Sequence, residues 1–220
     1  MGVAVVTGAN RGIGLALVRL LQSRGATVVA VCRQTSPALE ALGARIVSGI
    51  DLVDPQAGQK LAAQMDEDDI ELLVHNAGIG RFTSLESTTP EDVSAQFQVN
   101  AVAPLFVTRA LLPRLRQGAK VVLVSSRMGS IGDNGSGGFY GYRMSKAALN
   151  AAGVSLAHDL KPRGIAVVIL HPGAVRTEMT DGQGALDPSE SAAGLLQRID
   201  ELHIETTGRF LHENGSALPW

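Results

Sequence analysis

Two residues one helical turn apart carry the plainest chemistry in the chain: Tyr142 and Lys146, in the run Tyr142-Arg143-Met144-Ser145-Lys146. On a helix, positions i and i+4 share a face. A free phenol, with a pKa near ~10, stays protonated at neutral pH. A nearby ammonium favours the phenolate and pulls that value toward the range of a working proton donor or acceptor. Such a spacing also arises by chance, so the pair needs company. Ser125 and Ser126 follow the apolar run Lys120-Val121-Val122-Leu123-Val124 and offer a hydroxyl at a strand end. Asn100 lies among Val99, Ala101, Val102 and Leu105. Its amide needs partners there, since an unpaired buried one costs about 1–3 kcal/mol. It either bonds neighbouring backbone or bends its helix and holds an ordered water.

The elements that must position these residues begin at the N-terminus. Val3-Ala4-Val5-Val6 reads as a strand buried on both faces, followed by Thr7-Gly8-Ala9-Asn10-Arg11-Gly12-Ile13-Gly14 and then by Leu15, Leu17, Val18, Leu20 and Leu21 at helical spacing. A strand, a glycine-rich turn and a helix N-terminus make an anion site, because glycine lets backbone approach a pyrophosphate and the free N–H groups point at it. The glycines fall as G-x-x-x-G-x-G rather than G-x-G-x-x-G. The next strand, Ala26 to Val31, leads into Cys32-Arg33-Gln34, with no acid to accept from a ribose 2′-hydroxyl. Arg33, with Arg11 as a second candidate cation, could accept a 2′-phosphate, which favours NADP over NAD. Each arginine could equally be a solvated surface residue. A third strand, Arg45 to Ile50, ends at Asp51, a candidate acceptor for an adenine amino group or a loop cap.

Ser36-Pro37, Asp54-Pro55, Thr89-Pro90 and Asp187-Pro188 read as N-caps followed by proline at the first helical position. Glu71 to His75 is a fourth strand, followed by Asn76-Ala77-Gly78, where small residues let a ligand lie against the backbone; the fifth is Lys120 to Val124. From Arg127 to Phe139 the chain is glycine-rich and expected to be mobile. Tyr142 starts a helix running to about Lys161, closed by Pro162 and Gly164. Ile165 to Leu170 is a sixth strand and Gly208 to His212 a seventh, while the acidic cluster Asp66-Glu67-Asp68-Asp69 reads as a solvated helix end. The unbroken β-α alternation argues α/β: a single Rossmann-type domain over 1–220, a doubly wound parallel sheet of about seven strands with helices on both faces.

Composition agrees. The 220 residues are 45% hydrophobic and 18% charged, with a net charge of −2 and no long basic block, which speaks against nucleic acid or an anionic membrane as partner. The single cysteine, Cys32, allows no internal disulfide and argues against a zinc site; its plain reading is a small buried hydrophobe. No metal is expected. With neither a long apolar span nor a signal-peptide pattern at Met1 to Val6, a cytoplasmic protein is expected.

Taken together, Thr7-Gly8-x-x-x-Gly12-x-Gly14, Asn76-Ala77-Gly78, Asn100, Ser126, Tyr142-x-x-x-Lys146 and Pro172-Gly173 occur in the order of the short-chain dehydrogenases/reductases, which this chain resembles over essentially its whole length. Tyr140-Gly141-Tyr142-Arg143, Ser145-Lys146-Ala147-Ala148-Leu149-Asn150 and Leu218-Pro219-Trp220 look most like the carbonyl-reductase subgroup related to Sniffer and C-factor. The resemblance implies an NADP(H)-dependent oxidoreductase that reduces a ketone or aldehyde to an alcohol, reversibly. Tyr142 would be the general acid, Lys146 would lower its pKa and hold the nicotinamide ribose, Ser126 would orient the carbonyl, and Asn100 would hold a water in a proton relay. The implied cofactor set is Gly8, Asn10, Arg11, Gly12, Ile13 and Gly14 in the turn, with Arg33, Asp51 and Leu52 toward the adenosine. Asn76, Ala77 and Gly78 continue it, followed by Tyr142 and Lys146; Pro172, Gly173, Val175 and Thr177 complete it, the last two toward the carboxamide. Relatives commonly pair through the helices carrying Asn100 and Tyr142, so a homodimer or homotetramer is expected.

Three departures from the family pattern stand out. His75 replaces the usual first Asn of Asn-Asn-Ala-Gly and could be an additional acid. The Ser126-to-Tyr142 gap is long, which could reshape the substrate mouth and leaves the choice between Ser125 and Ser126 open. The segment after Pro172-Gly173 is short, implying a lightly lidded pocket. The competing reading is a C-factor-type signalling protein that binds the dinucleotide with little or no turnover. An epimerase or dehydratase would need further C-terminal residues.

Overall fold

The computed structural model describes residues 2–65 and 69–220. Three members of the acidic cluster, 66–68, therefore lie outside the described residues. Seven parallel strands form one sheet in the order β3-β2-β1-β4-β5-β6-β7. They are β1 (Val3–Thr7), β2 (Thr27–Val31), β3 (Arg45–Val47), β4 (Ile70–His75), β5 (Leu115–Val124), β6 (Ala166–His171) and β7 (Arg209–His212). Every residue of β1 is buried, as expected of a central strand covered on both faces. Alternation along it divides the core. Val3 and Val5 face a layer built with Leu61, Val107 and Leu149, whereas Ala4 and Val6 face Leu17, Leu39 and Leu195. The first layer comes from α3 (Ala57–Gln64), α5 (Ala103–Leu111) and α6 (Tyr140–Leu160); the second comes from α1 (Gly12–Ser23), α2 (Pro37–Glu40) and α7 (Pro188–Glu201).

Two of the expected caps form as read: Ser36 Oγ accepts from Leu39 N (3.2 Å), and Thr89 Oγ1 accepts from Asp92 N (3.2 Å) at the start of α4 (Pro90–Phe97). Pro188 likewise opens α7 after Asp187, whose N–H donates to Glu190 Oε2 at 2.7 Å. Asp54-Pro55 does not begin a helix. Asp54 Oδ1 instead takes Gln56 N at 2.8 Å, closing a local turn, and α3 starts at Ala57. β3 is shorter than the apolar pattern implied, ending at Val47. The helix that opens at Thr89-Pro90 is interrupted at Gln98–Val102 by a π-helical turn centred on Asn100 and continues as α5. Among the described residues no helix is long and apolar enough to cross a membrane.

Candidate active site

A cleft of about 720 Å³ opens at the carboxyl ends of the strands, across the β1–β4 boundary where strand order reverses. Its first wall is the glycine turn. Gly8 has φ +66°, and a Cβ there would fall 2.8 Å from Ala77 Cα; one on Gly14 would run into the Gly8 carbonyl and the Asn76 amide. The turn is held from below. Thr7 Oγ1 accepts from the N–H groups of Asn76 (3.1 Å) and Ala77 (3.2 Å). Asn76 Nδ2 in return donates to the carbonyls of Thr7 (3.0 Å) and Gly8 (3.1 Å). Asn76 thus buttresses the turn by locking the ends of β1 and β4 together. The N-terminus of α1 lacks both a side-chain cap and an acid in its first turn, whereas α2 and α4 are capped by Ser36 and Thr89. Uncapped N–H groups facing a cleft suit a pyrophosphate, so the residues fit a dinucleotide.

The same cleft is lined by Asn10, Arg11, Gly12, Ile13, Arg33, Asp51, Leu52, Gly78, Tyr142, Lys146, Pro172 and Thr177. Gly14, Gly173, Val175, Asn100 and Ser126 are not part of that lining. Arg33 is exposed at the rim. Arg11, the other candidate cation, is ion-paired across the mouth with Glu178, a partner the sequence did not announce. Asp51 is a loop cap, its Oδ1 accepting from Val53 N at 3.1 Å, while also lining the cleft.

Tyr142, Lys146 and Ser126 converge at the inner end. Burial raises the pKa of the Tyr142 phenol, and the nearby Ser126 hydroxyl draws it partway back. Lys146 was expected to supply the downward pull. Burial instead holds its own pKa down to about 8, and its ammonium, 5.8 Å from the Tyr142 ring centre, donates to the Val124 carbonyl at 2.8 Å. Ser125 is engaged elsewhere: its Oγ donates to Asn150 Oδ1 at 2.6 Å. Ser126 is the serine whose hydroxyl acts on the Tyr142 phenol, while Ser125 lines the cleft with its hydroxyl turned to Asn150.

Asn100 uses its side chain on backbone and helix. Oδ1 accepts from Ile79 N (2.9 Å); Nδ2 donates to Ile79 O (2.8 Å) and to Ser145 Oγ (3.0 Å). The π turn aims this amide at the segment after Gly78, tying that segment to α6. His75 is fully buried, its Nε2 2.8 Å from Thr108 Oγ1, and burial pushes its pKa down to about 3. It is neutral and turned into α5, so it is no acid for the site.

Two residues at the mouth went unread in the sequence. The Phe82 ring lies edge-on to Tyr142 (5.5 Å between centres) and to Phe139 (5.3 Å), and Phe82 and Met179 flank Gly80. Phe82 sits in an irregular segment and Met179 in a single 3₁₀ turn, where no periodicity marks them. The glycine-rich run after Ser126 is cross-tied rather than loose: Arg143 reaches the carbonyls of Gly137 (3.3 Å) and Gly138 (3.2 Å) and Ser136 Oγ (2.8 Å), and Trp220 O accepts from Gly132 N at 2.7 Å.

Comparison with known proteins agrees with this geometry. The short chain dehydrogenase profile matches residues 2–186. A 1-hydroxy-2-glutathionyl-2-methyl-3-butene dehydrogenase of Rhodococcus sp. (strain AD45) is 39% identical with 100% of both chains covered. The C-signal protein of Myxococcus xanthus is 46% identical over 69% of this chain and 93% of its own. Carbonyl reductase Sniffer of D. melanogaster superposes with a TM-score of 0.92 at 33% identity over 100% of both chains. An NADPH-bound carbonyl reductase from chicken fatty liver does so with a TM-score of 0.88 at 30% identity, covering 100% of this chain and 98% of its own. The chain belongs to the short chain dehydrogenase family, oxidoreductases that bind a nicotinamide dinucleotide.

Proposed function

We propose that the protein reduces a ketone or aldehyde to an alcohol, and runs the reverse, using NADP(H) in preference to NAD(H). The observation that carries this is a buried Tyr142 with a buried Lys146 one turn away on α6, both lining the cleft that begins at the uncapped N-terminus of α1, with Ser126 beside the phenol. A phenol whose pKa burial has raised keeps its proton at neutral pH and can give it to a carbonyl oxygen as charge develops there. Ser126, next to that hydroxyl, orients the oxygen; Lys146 stands ready to return a proton to the phenolate and to bind the ribose, with Asn100 on the relay side. When bound, the nicotinamide supplies the hydride that makes the carbonyl carbon a carbinol. Arg33 makes no ion pair among the described residues and stands at the rim, a cation open to a 2′-phosphate. NADP(H)-bound carbonyl reductases among the structural relatives support the same choice.

The partner is a small carbonyl compound or alcohol. Phe97, Leu105 and Met144, exposed along α4, α5 and α6, suit pairing into a homodimer or homotetramer. The test is Tyr142→Phe, which removes only the transferable proton: NADPH should still bind and turnover of an aldehyde and ketone panel should vanish. Retained turnover would sink the assignment. The likeness to C-signal favours a second reading, a dinucleotide-binding signalling protein; clear NADPH binding with silence across the panel would favour it.

A further inference from the structure

We infer that Asn150 is a positioning residue that sets the place of Ser126 against Tyr142. The inference rests on the reading of Ser126 as the residue that orients the carbonyl. Asn150 lies eight residues after Tyr142 and four after Lys146, on the same buried side of α6. It is 4% exposed and uses both ends of its amide. Oδ1 accepts from Ser125 Oγ at 2.6 Å, and Nδ2 donates to the Gly129 carbonyl at 3.3 Å. Those two partners bracket Ser126. Ser125 is the residue before it at the end of β5, and Gly129 closes the short 3₁₀ turn that Ser126 itself caps by accepting from Met128 N at 3.1 Å.

The consequence concerns what sets the distance between serine and phenol. Along the chain they are separated by a long glycine-rich loop, a poor ruler. Through Asn150 they are joined by one helix: α6 presents the phenol at 142 and, two turns on, grips both sides of the serine. Lys146 adds a second tie to the same strand end, at the Val124 carbonyl, but it also faces the cleft. Asn150 does not line the cleft, so any effect it has on catalysis passes through the segment from Ser125 to Gly129 that it grips.

The experiment is a double-mutant cycle of Asn150→Ala with Ser126→Ala, read by single-turnover oxidation of NADPH with 4-nitrobenzaldehyde, with NADPH affinity measured in parallel. Asn150→Ala alone should lower the hydride-transfer rate roughly tenfold to a hundredfold, as loss of near-attack geometry does, and leave NADPH affinity unchanged. In the Ser126→Ala background the same substitution should change the rate little, because the group it positions is gone. Asn150→Asp keeps the acceptor for Ser125 and loses the donor to Gly129, so it should fall between. If Asn150→Ala does not fold, Asn150→Asp replaces it in the cycle, with the same pattern expected at smaller size. Additive rate losses, or a parallel loss of NADPH affinity, would overturn the inference and leave Asn150 a plain core amide. A Ser126→Ala enzyme as fast as the parent would instead overturn the role given to Ser126, and with it the premise.

Discussion

Lys146→Met should make the protein more stable and inactive. Lys146 is 4% exposed, and among the described residues its ammonium makes one hydrogen bond, the 2.8 Å contact to the Val124 carbonyl. Burial moves its pKa from 10.5 to about 8. At about 1.36 kcal/mol per pH unit, a fall of that size means that holding the ammonium in the folded chain costs roughly 3 kcal/mol at pH 7. Methionine fills the same space without charge. Losing the hydrogen bond takes back about 1 kcal/mol, because Val124 lines the open cleft and water can reach its carbonyl. The net gain is about 2 kcal/mol, or roughly 4–8 °C in Tm for a chain of this size.

The pH dependence carries the sign. A lysine whose folded pKa is depressed binds fewer protons folded than unfolded between about 8 and 10.5, so wild-type stability should rise with pH across that window. Tyr142 and Cys32, whose folded pKa values burial raises, work the other way above about 10 and 9, and Lys120 works the same way, but all three are shared by the variant, so the gap between the two proteins isolates Lys146. Urea unfolding of both proteins at pH 7, 8, 9 and 10 is the assay. The variant should lead at pH 7 and the gap should narrow by pH 10. A variant no more stable at pH 7, or a gap indifferent to pH, would refute the reasoning.

Asn76→Ala removes the donor shared by the Thr7 and Gly8 carbonyls and should cost about 1–3 kcal/mol in urea unfolding. The same change should weaken NADPH binding by fluorescence titration; unchanged affinity would mean that the turn holds itself. Arg33→Asp should shift the NADPH-to-NADH preference by roughly tenfold to a hundredfold, the scale of one charge-assisted bond to a phosphate, and an unmoved ratio would refute the role given to Arg33. His75→Leu should destabilise the fold by stranding Thr108, yet leave the pH profile of kcat unaltered; a displaced limb in that profile would restore His75 as an acid.

What could be read from residues alone divides along physical lines. The strands were legible because buried parallel strands are written as short unbroken apolar runs such as Val3–Val6, and Tyr142 with Lys146 because a helix makes four residues one turn. Asp54-Pro55 misled because aspartate can satisfy a local turn as readily as a helix end, and here Gln56 N takes it. The π turn at Asn100 has no periodic signature; only an amide stranded among apolar neighbours hinted at it. Ser125 against Ser126 could not be decided without Asn150, whose place in the stripe of Tyr142 and Lys146 was a signal left unused. Phe82, Met179 and the Arg11–Glu178 pair depend on how loops fold back across a cleft, which a linear pattern does not encode.

The tie between Thr7 and Asn76 spans 69 residues, and it joins the central strand to its neighbour. A growing polypeptide that has made only β1, β2 and β3 can close neither the floor beneath Gly8 nor the second edge of β1. The nucleotide turn is thus a late product of assembly, waiting on β4, and until then β1 offers an unpaired apolar edge. Such long-range parallel pairing is slow and prone to wrong partners. Slower synthesis past β4 or a lower growth temperature during expression should therefore raise the yield of properly formed protein.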